Sequence, residues 1–109
     1  MDSQAITGVL IGNKDFIAEN KEAVDEFLVN YEESIAYTET NLEDSAKLIG
    51  GFDIVPEPVA KSALPKCNIT YIDGEEMKTA LEGYLEVLFN ANPKSVGATM
   101  PAEDFYYEK

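Results

Sequence analysis

Ile6-Thr7-Gly8-Val9-Leu10-Ile11-Gly12 is the clearest strand candidate in the chain. It is rich in β-branched residues and apolar on both alternating faces around Val9-Leu10-Ile11. A strand covered on both sides reads this way. Gly12-Asn13 closes it, and Asn13 is placed to cap a helical turn from Lys14 to Glu19, with Phe16 and Ile17 turned inward. A two-sided apolar strand needs neighbours on both edges for its N–H and C=O groups. The rest of the sequence must therefore either supply those neighbours or be read as part of a larger sheet.

Working outward, the sequence supplies mainly helices. Asn20 is a second cap candidate, opening a helix from about Lys21 to Thr40. Val24, Phe27, Leu28, Tyr31, Ile35 and Thr38 fall at spacings of three and four and form one apolar stripe. Glu22, Asp25 and Glu26 lie in or near its first two turns, where negative charge complements the helix dipole. A further helix is expected from about Glu43 to Ile49, stopped by Gly50-Gly51. Pro56 and Pro58 frame a short helix through about Ala63, with Val59, Ala60 and Ala63 facing in, and Pro65 ends it. Asn68-Ile69-Thr70-Tyr71-Ile72 alternates polar and apolar residues, as a short strand or extended segment does. Asp73 is the expected cap of a last helix, Glu75 to about Asn92, with Met77, Leu81, Tyr84, Leu85 and Leu88 as its buried stripe. Pro93 cannot continue that helix. The adjacent aromatics Phe105-Tyr106-Tyr107 suggest a tail that docks on apolar surface. The expected class is thus α/β and helix-rich, with one strong strand and four to five helices. Residues 1–109 form a single domain or a fragment of one.

Composition excludes several functions. The chain carries 21 acidic residues against 8 lysines, with no Arg and no His, for a net charge of −13. Polyanions and anionic membranes would be repelled, so no nucleic-acid partner is expected. Without His there is no imidazole base and no Ser-His-Asp or Cys-His arrangement. Without Arg there is no bidentate fork for carboxylate or phosphate. Cys67 is the single cysteine, so neither an internal disulfide nor a Cys-based zinc site forms. A small buried apolar role is expected for it. The carboxylate pairs Glu75-Glu76, Glu32-Glu33 and Glu43-Asp44 sit on polar helix faces and read as solvated surface. An acid/base pair would need two carboxyls facing one cleft. Enzymatic activity, metal ions and cofactors are accordingly not expected. Met1-Asp2-Ser3-Gln4-Ala5-Ile6 has neither a basic nor an apolar leader region, so it does not read as an export signal.

The order of elements resembles a known family. Ile6-Thr7-Gly8-Val9-Leu10-Ile11-Gly12-Asn13-Lys14-Asp15-Phe16 leading into Glu19-Asn20-Lys21-Glu22-Ala23-Val24-Asp25-Glu26-Phe27-Leu28 is similar to the C-terminal part of ABC-transporter substrate-binding proteins. The type is that of nitrate, sulfonate and thiamine-precursor importers (NMT1/THI5-like). Met77-Lys78-Thr79-Ala80-Leu81-Glu82-Gly83-Tyr84-Leu85-Glu86-Val87-Leu88 and Asn92-Pro93-Lys94-Ser95-Val96-Gly97 carry the most specific likeness. Pro101-Ala102-Glu103-Asp104-Phe105-Tyr106-Tyr107 fits the family's C-terminal end. The resemblance implies a type II periplasmic-binding fold, a small-molecule solute as ligand, an ABC permease subunit as partner and an extracytoplasmic location for the complete protein. On that reading Thr7 and Gly8 lie near a hinge and supply orienting hydrogen bonds to the solute. Gly8 and Gly12 serve strand and turn geometry, or close approach of a ligand. A small acidic helical interaction domain is the alternative. A homodimer pairing Ile6–Gly12 between copies is a further expectation for the isolated chain.

Overall fold

The computed structural model describes residues 6–109, so the leader reading of residues 1–5 lies outside it. The described residues contain five α-helices: α1 Lys14–Glu19, α2 Lys21–Thr40, α3 Leu42–Gly51, α4 Glu57–Ala63 and α5 Gly74–Ala91. Three short 3-10 turns accompany them, Leu64–Lys66 directly after α4, and Pro93–Val96 and Glu103–Phe105 after α5. The chain divides into two compact units, one made of residues 6–13 and 72–109, the other of Lys14–Tyr71.

The α/β expectation is corrected: no strand occurs among the described residues. Residues 6–12 have no regular structure, and Val9, Leu10 and Ile11 are exposed, Ile11 at 86%. The physical reason lies in pairing. An apolar β-branched run makes a strand only where a second strand takes up its N–H and C=O groups. The second candidate, residues 68–72, supplies none: Asn68 takes a left-handed φ of 50°, which breaks extended geometry at its first residue.

In the Lys14–Tyr71 unit, α1 and α2 meet at Asn20. Its side chain does not cap α2. Instead the Nδ2 group donates to the Phe16 carbonyl at 3.0 Å and closes α1 from behind. Along α2, Val24, Leu28, Ile35 and Thr38 are half-buried, while Phe27 and Tyr31 are exposed and stack on one another at 5.7 Å. Tyr71 meets Tyr31 edge-on at 6.1 Å. The packed part of this unit is α3 against α4. Its two almost wholly covered apolar residues are small: Ala46 on α3 is 1% exposed and Ala60 on α4 is 2% exposed. Small residues let two helix backbones approach, and Gly50 shows how closely. A Cβ built there would stand 3.0 Å from both Cβ and N of Glu57, the first residue of α4. Val59 and Phe16, expected to face in, are exposed. Cys67, expected to be buried, is exposed as well, because it follows the 3-10 turn rather than a strand.

Ser45 is also buried, yet its Oγ has no hydrogen-bond partner. A buried hydroxyl without a partner loses its hydration for nothing in return. Ser45→Ala should therefore raise stability by about 1 kcal/mol, through removal of that group and better helix propensity. Urea melts of the two proteins measure it, and a less stable alanine variant would mean that the hydroxyl is hydrogen-bonded in solution.

In the other unit, α5 behaves as its sequence implies. Met77, Leu81, Tyr84, Leu85 and Leu88 are all half-buried. Asp73, however, makes no side-chain capping bond to α5. The C-terminal end is better tied. Pro93 starts the 3-10 turn, Asn92 accepts from the Lys94 N–H at 3.1 Å, and Ser95 Oγ lies 3.1 Å from the Leu88 carbonyl and 2.7 Å from that of Asn92. Gly97 then takes φ 80°, a left-handed position that glycine adopts freely. The Asn-Pro-Lys-Ser-Val-Gly run is thus a helix stop.

Candidate functional site

Thr7 and Gly8, the residues proposed to meet a solute, are exposed and lie in the segment without regular structure. A Cβ on Gly8 would meet nothing within 4 Å, so no close approach of this chain's own atoms requires glycine there. The residues expected as solvated carboxylate pairs, Glu75-Glu76, Glu32-Glu33 and Glu43-Asp44, are all exposed. No group of three or more His, Cys, Asp or Glu side chains able to hold a metal ion occurs among the described residues. No described helix is long and apolar enough to cross a membrane.

A concave feature with charged walls lies elsewhere, where the C-terminal tail runs beside the start of α5. It is a half-open cavity of about 340 Å³. Gly74, Glu75 and Lys78 form its α5 side. Glu103, Asp104, Tyr106, Tyr107 and Glu108 form its tail side. Two ion pairs join the tail to the residues at the start of α5. Lys78 Nζ donates to Glu103 Oε2, and Lys109 Nζ stands 3.4 Å from Asp73 Oδ2. Between them Tyr106 is 9% exposed and packs edge-on against Phe105 at 5.2 Å. Of the aromatics expected to dock on apolar surface, Tyr106 is covered and Phe105 is exposed.

Tyr106 carries the tail's electrostatic signature. Its hydroxyl is buried without a hydrogen-bond partner. Burial pushes its pKa up, Glu82 adds to the rise, and Lys78 opposes it. The Lys78 pKa is also raised, chiefly by the hydrogen bond to Glu103, against a smaller lowering from desolvation. Both shifts act in one direction. A folded-state pKa above the unfolded value means that the folded form holds its proton longer, so stability falls as pH rises past the unfolded value. Tail docking should accordingly be unaffected at neutral pH and weaken above about pH 10. Tyrosine absorbance at 295 nm, followed together with limited proteolysis of the tail, checks this. A tail that stays protected while Tyr106 ionises would contradict it.

Sequence reasoning did not anticipate Lys78–Glu103 or Asp73–Lys109, since the partners are far apart in the chain and no local spacing announces them. Chemically, the cavity offers carboxylates, one paired ammonium and tyrosine rings. It holds no imidazole, guanidinium or thiol. Comparison of the chain with family models, curated proteins and solved structures finds no match.

Proposed function

We propose that this chain is part of the solute-binding component of an ABC importer, a non-catalytic module that holds a small molecule for a membrane permease. The reading rests on the order of sequence elements, above all Met77-Lys78-Thr79-Ala80-Leu81-Glu82-Gly83-Tyr84-Leu85-Glu86-Val87-Leu88 and Asn92-Pro93-Lys94-Ser95-Val96-Gly97. One structural observation supports it: Val9, Leu10 and Ile11 form an apolar run left open to solvent among the described residues. Apolar surface of that kind is stabilised when something covers it. On this reading the complement is the remainder of a solute-binding protein outside the cytoplasm. The solute then contacts the chain near Thr7 and Gly8 through backbone groups or the Thr7 hydroxyl.

The test is transport. Uptake of labelled nitrate, an alkanesulfonate and an aminopyrimidine would be measured in cells with the gene deleted and restored. Loss of one uptake activity, recovered on restoration, is the expected result. Unchanged uptake of all three would overturn transport of these solutes and favour the second reading, an acidic helical interaction domain. That alternative draws its support from the helices, with no strand among the described residues, and from the net charge of −13.

A further inference from the structure

The loop that joins α3 to α4 presents apolar side chains on a fixed backbone. Phe52 is 76% exposed and Ile54 is 68% exposed, with Val55 beside them and Leu48 and Val59 exposed on the flanking helices. Backbone hydrogen bonds brace its first three residues. Phe52 N–H donates to the Leu48 carbonyl at 2.9 Å, Asp53 N–H to Gly50 at 3.1 Å and Ile54 N–H to Ile49 at 3.1 Å. Asp53 takes a left-handed φ of 57°, which aspartate tolerates better than most residues. Pro56, with φ −58°, and Pro58 fix the entry to α4, and Gly50 lets the first residue of α4 come close. A rigid apolar projection loses little conformational freedom on binding, which is how anchor residues gain affinity.

We infer that the Phe52–Val55 loop is a docking knob for a partner protein whose apolar groove is rimmed by Lys or Arg. The charge pattern selects that occupant. The loop itself carries Asp53 and is followed by Glu57, and the nearest cation after it in the chain, Lys61, is engaged with Glu43, so carboxylates predominate at the knob. A second copy would set the same carboxylates against one another, on chains of net charge −13. A lipid surface would have to admit Asp53, which stands between Phe52 and Ile54 in the chain. A groove with a basic rim pairs both carboxylates and covers the apolar side chains. The inference stands on this loop alone and holds whether or not the chain serves an importer.

The experiment is a nitrogen-15 NMR titration of the full chain with two synthetic amphipathic helical peptides. Both carry the same leucine stripe, one flanked by lysines and the other by glutamates. The lysine peptide should shift the amides of residues 48–59, and the glutamate peptide should not. The double variant Phe52→Ser with Ile54→Ser should weaken binding at least tenfold, because both side chains point to solvent and their loss leaves the fold intact. Val9→Ser with Leu10→Ser, a control at the other exposed run, should change affinity less than twofold. Shifts centred on α2 or α5, or equal weakening by the control pair, would overturn the proposal. So would Phe52-dependent self-association in sedimentation equilibrium, or Phe52-dependent flotation with phosphatidylcholine vesicles.

Discussion

Gly50→Ala is expected to destabilise the α3–α4 pair by up to about 2 kcal/mol, although alanine is the better helix former. Two effects oppose each other. Replacing a helical glycine by alanine favours the helix by up to about 1 kcal/mol. Against this, the new Cβ would stand 3.0 Å from the backbone N and the Cβ of Glu57 and 3.2 Å from its Cα. These are not the far ends of flexible side chains, so α4 itself must move. Overpacking of that kind costs about 1–3 kcal/mol, which outweighs the propensity gain. Movement is resisted because Pro56 and Pro58 fix the start of α4 and because Ala46 and Ala60 are almost wholly covered. Gly83→Ala provides the contrast. Gly83 lies inside α5, and a Cβ there meets nothing within 4 Å. That variant should gain about 0.5–1 kcal/mol. Urea melts of the three proteins give the comparison. If both alanines stabilise, α4 yields to the new methyl and the close approach is not a constraint.

The same pair of helices marks what sequence reasoning reaches and where it stops. The span of α2 and the start and end of α4 follow from the three-and-four spacing of apolar residues and from the prolines, although Asn20 does not cap α2 as its position suggests. Such signals act within a few residues, so they survive whatever the rest of the molecule does. Residues 6–12 are the contrary case. Their β-branched pattern states what the segment would do if covered on both sides, and the covering is a non-local fact. Without it the run stays open and irregular. Cys67 fails with it, since its expected burial depended on a neighbouring strand. The cavity follows the same division. The aromatic tail was legible as something that docks, because three adjacent aromatics at one end need apolar cover. The ion pairs that place it were not, because Lys78 and Glu103 are 25 residues apart. Thr7 and Gly8 belong to a sheet reading that the described residues do not bear out, and they do not line the cavity at the start of α5.

Two substitutions at Tyr106 should move stability in opposite directions. Tyr106→Ala removes the one nearly covered side chain of the unit formed by residues 6–13 and 72–109. Truncating a buried aromatic costs about 3–5 kcal/mol, and the open rim of the adjacent cavity, which lets the site collapse, puts the expectation near 3. The ion pairs do not compensate, since Glu103 is exposed and Lys109 and Asp73 are both partly so. Pairs in contact with water contribute little. The tail of the alanine variant should therefore detach and become sensitive to proteases. Tyr106→Phe keeps the ring and its edge-on contact with Phe105, and deletes only the hydroxyl. That hydroxyl is buried and unpartnered, so its loss should raise stability by about 1 kcal/mol. The phenylalanine variant should also lose the tyrosine share of the alkaline instability while keeping the share from Lys78. Thermal melts at neutral pH and at pH 11, with proteolysis of the tail in parallel, separate these outcomes. A less stable phenylalanine variant would show that the hydroxyl finds a partner in solution, and the tail would then be held by a hydrogen bond as well as by packing.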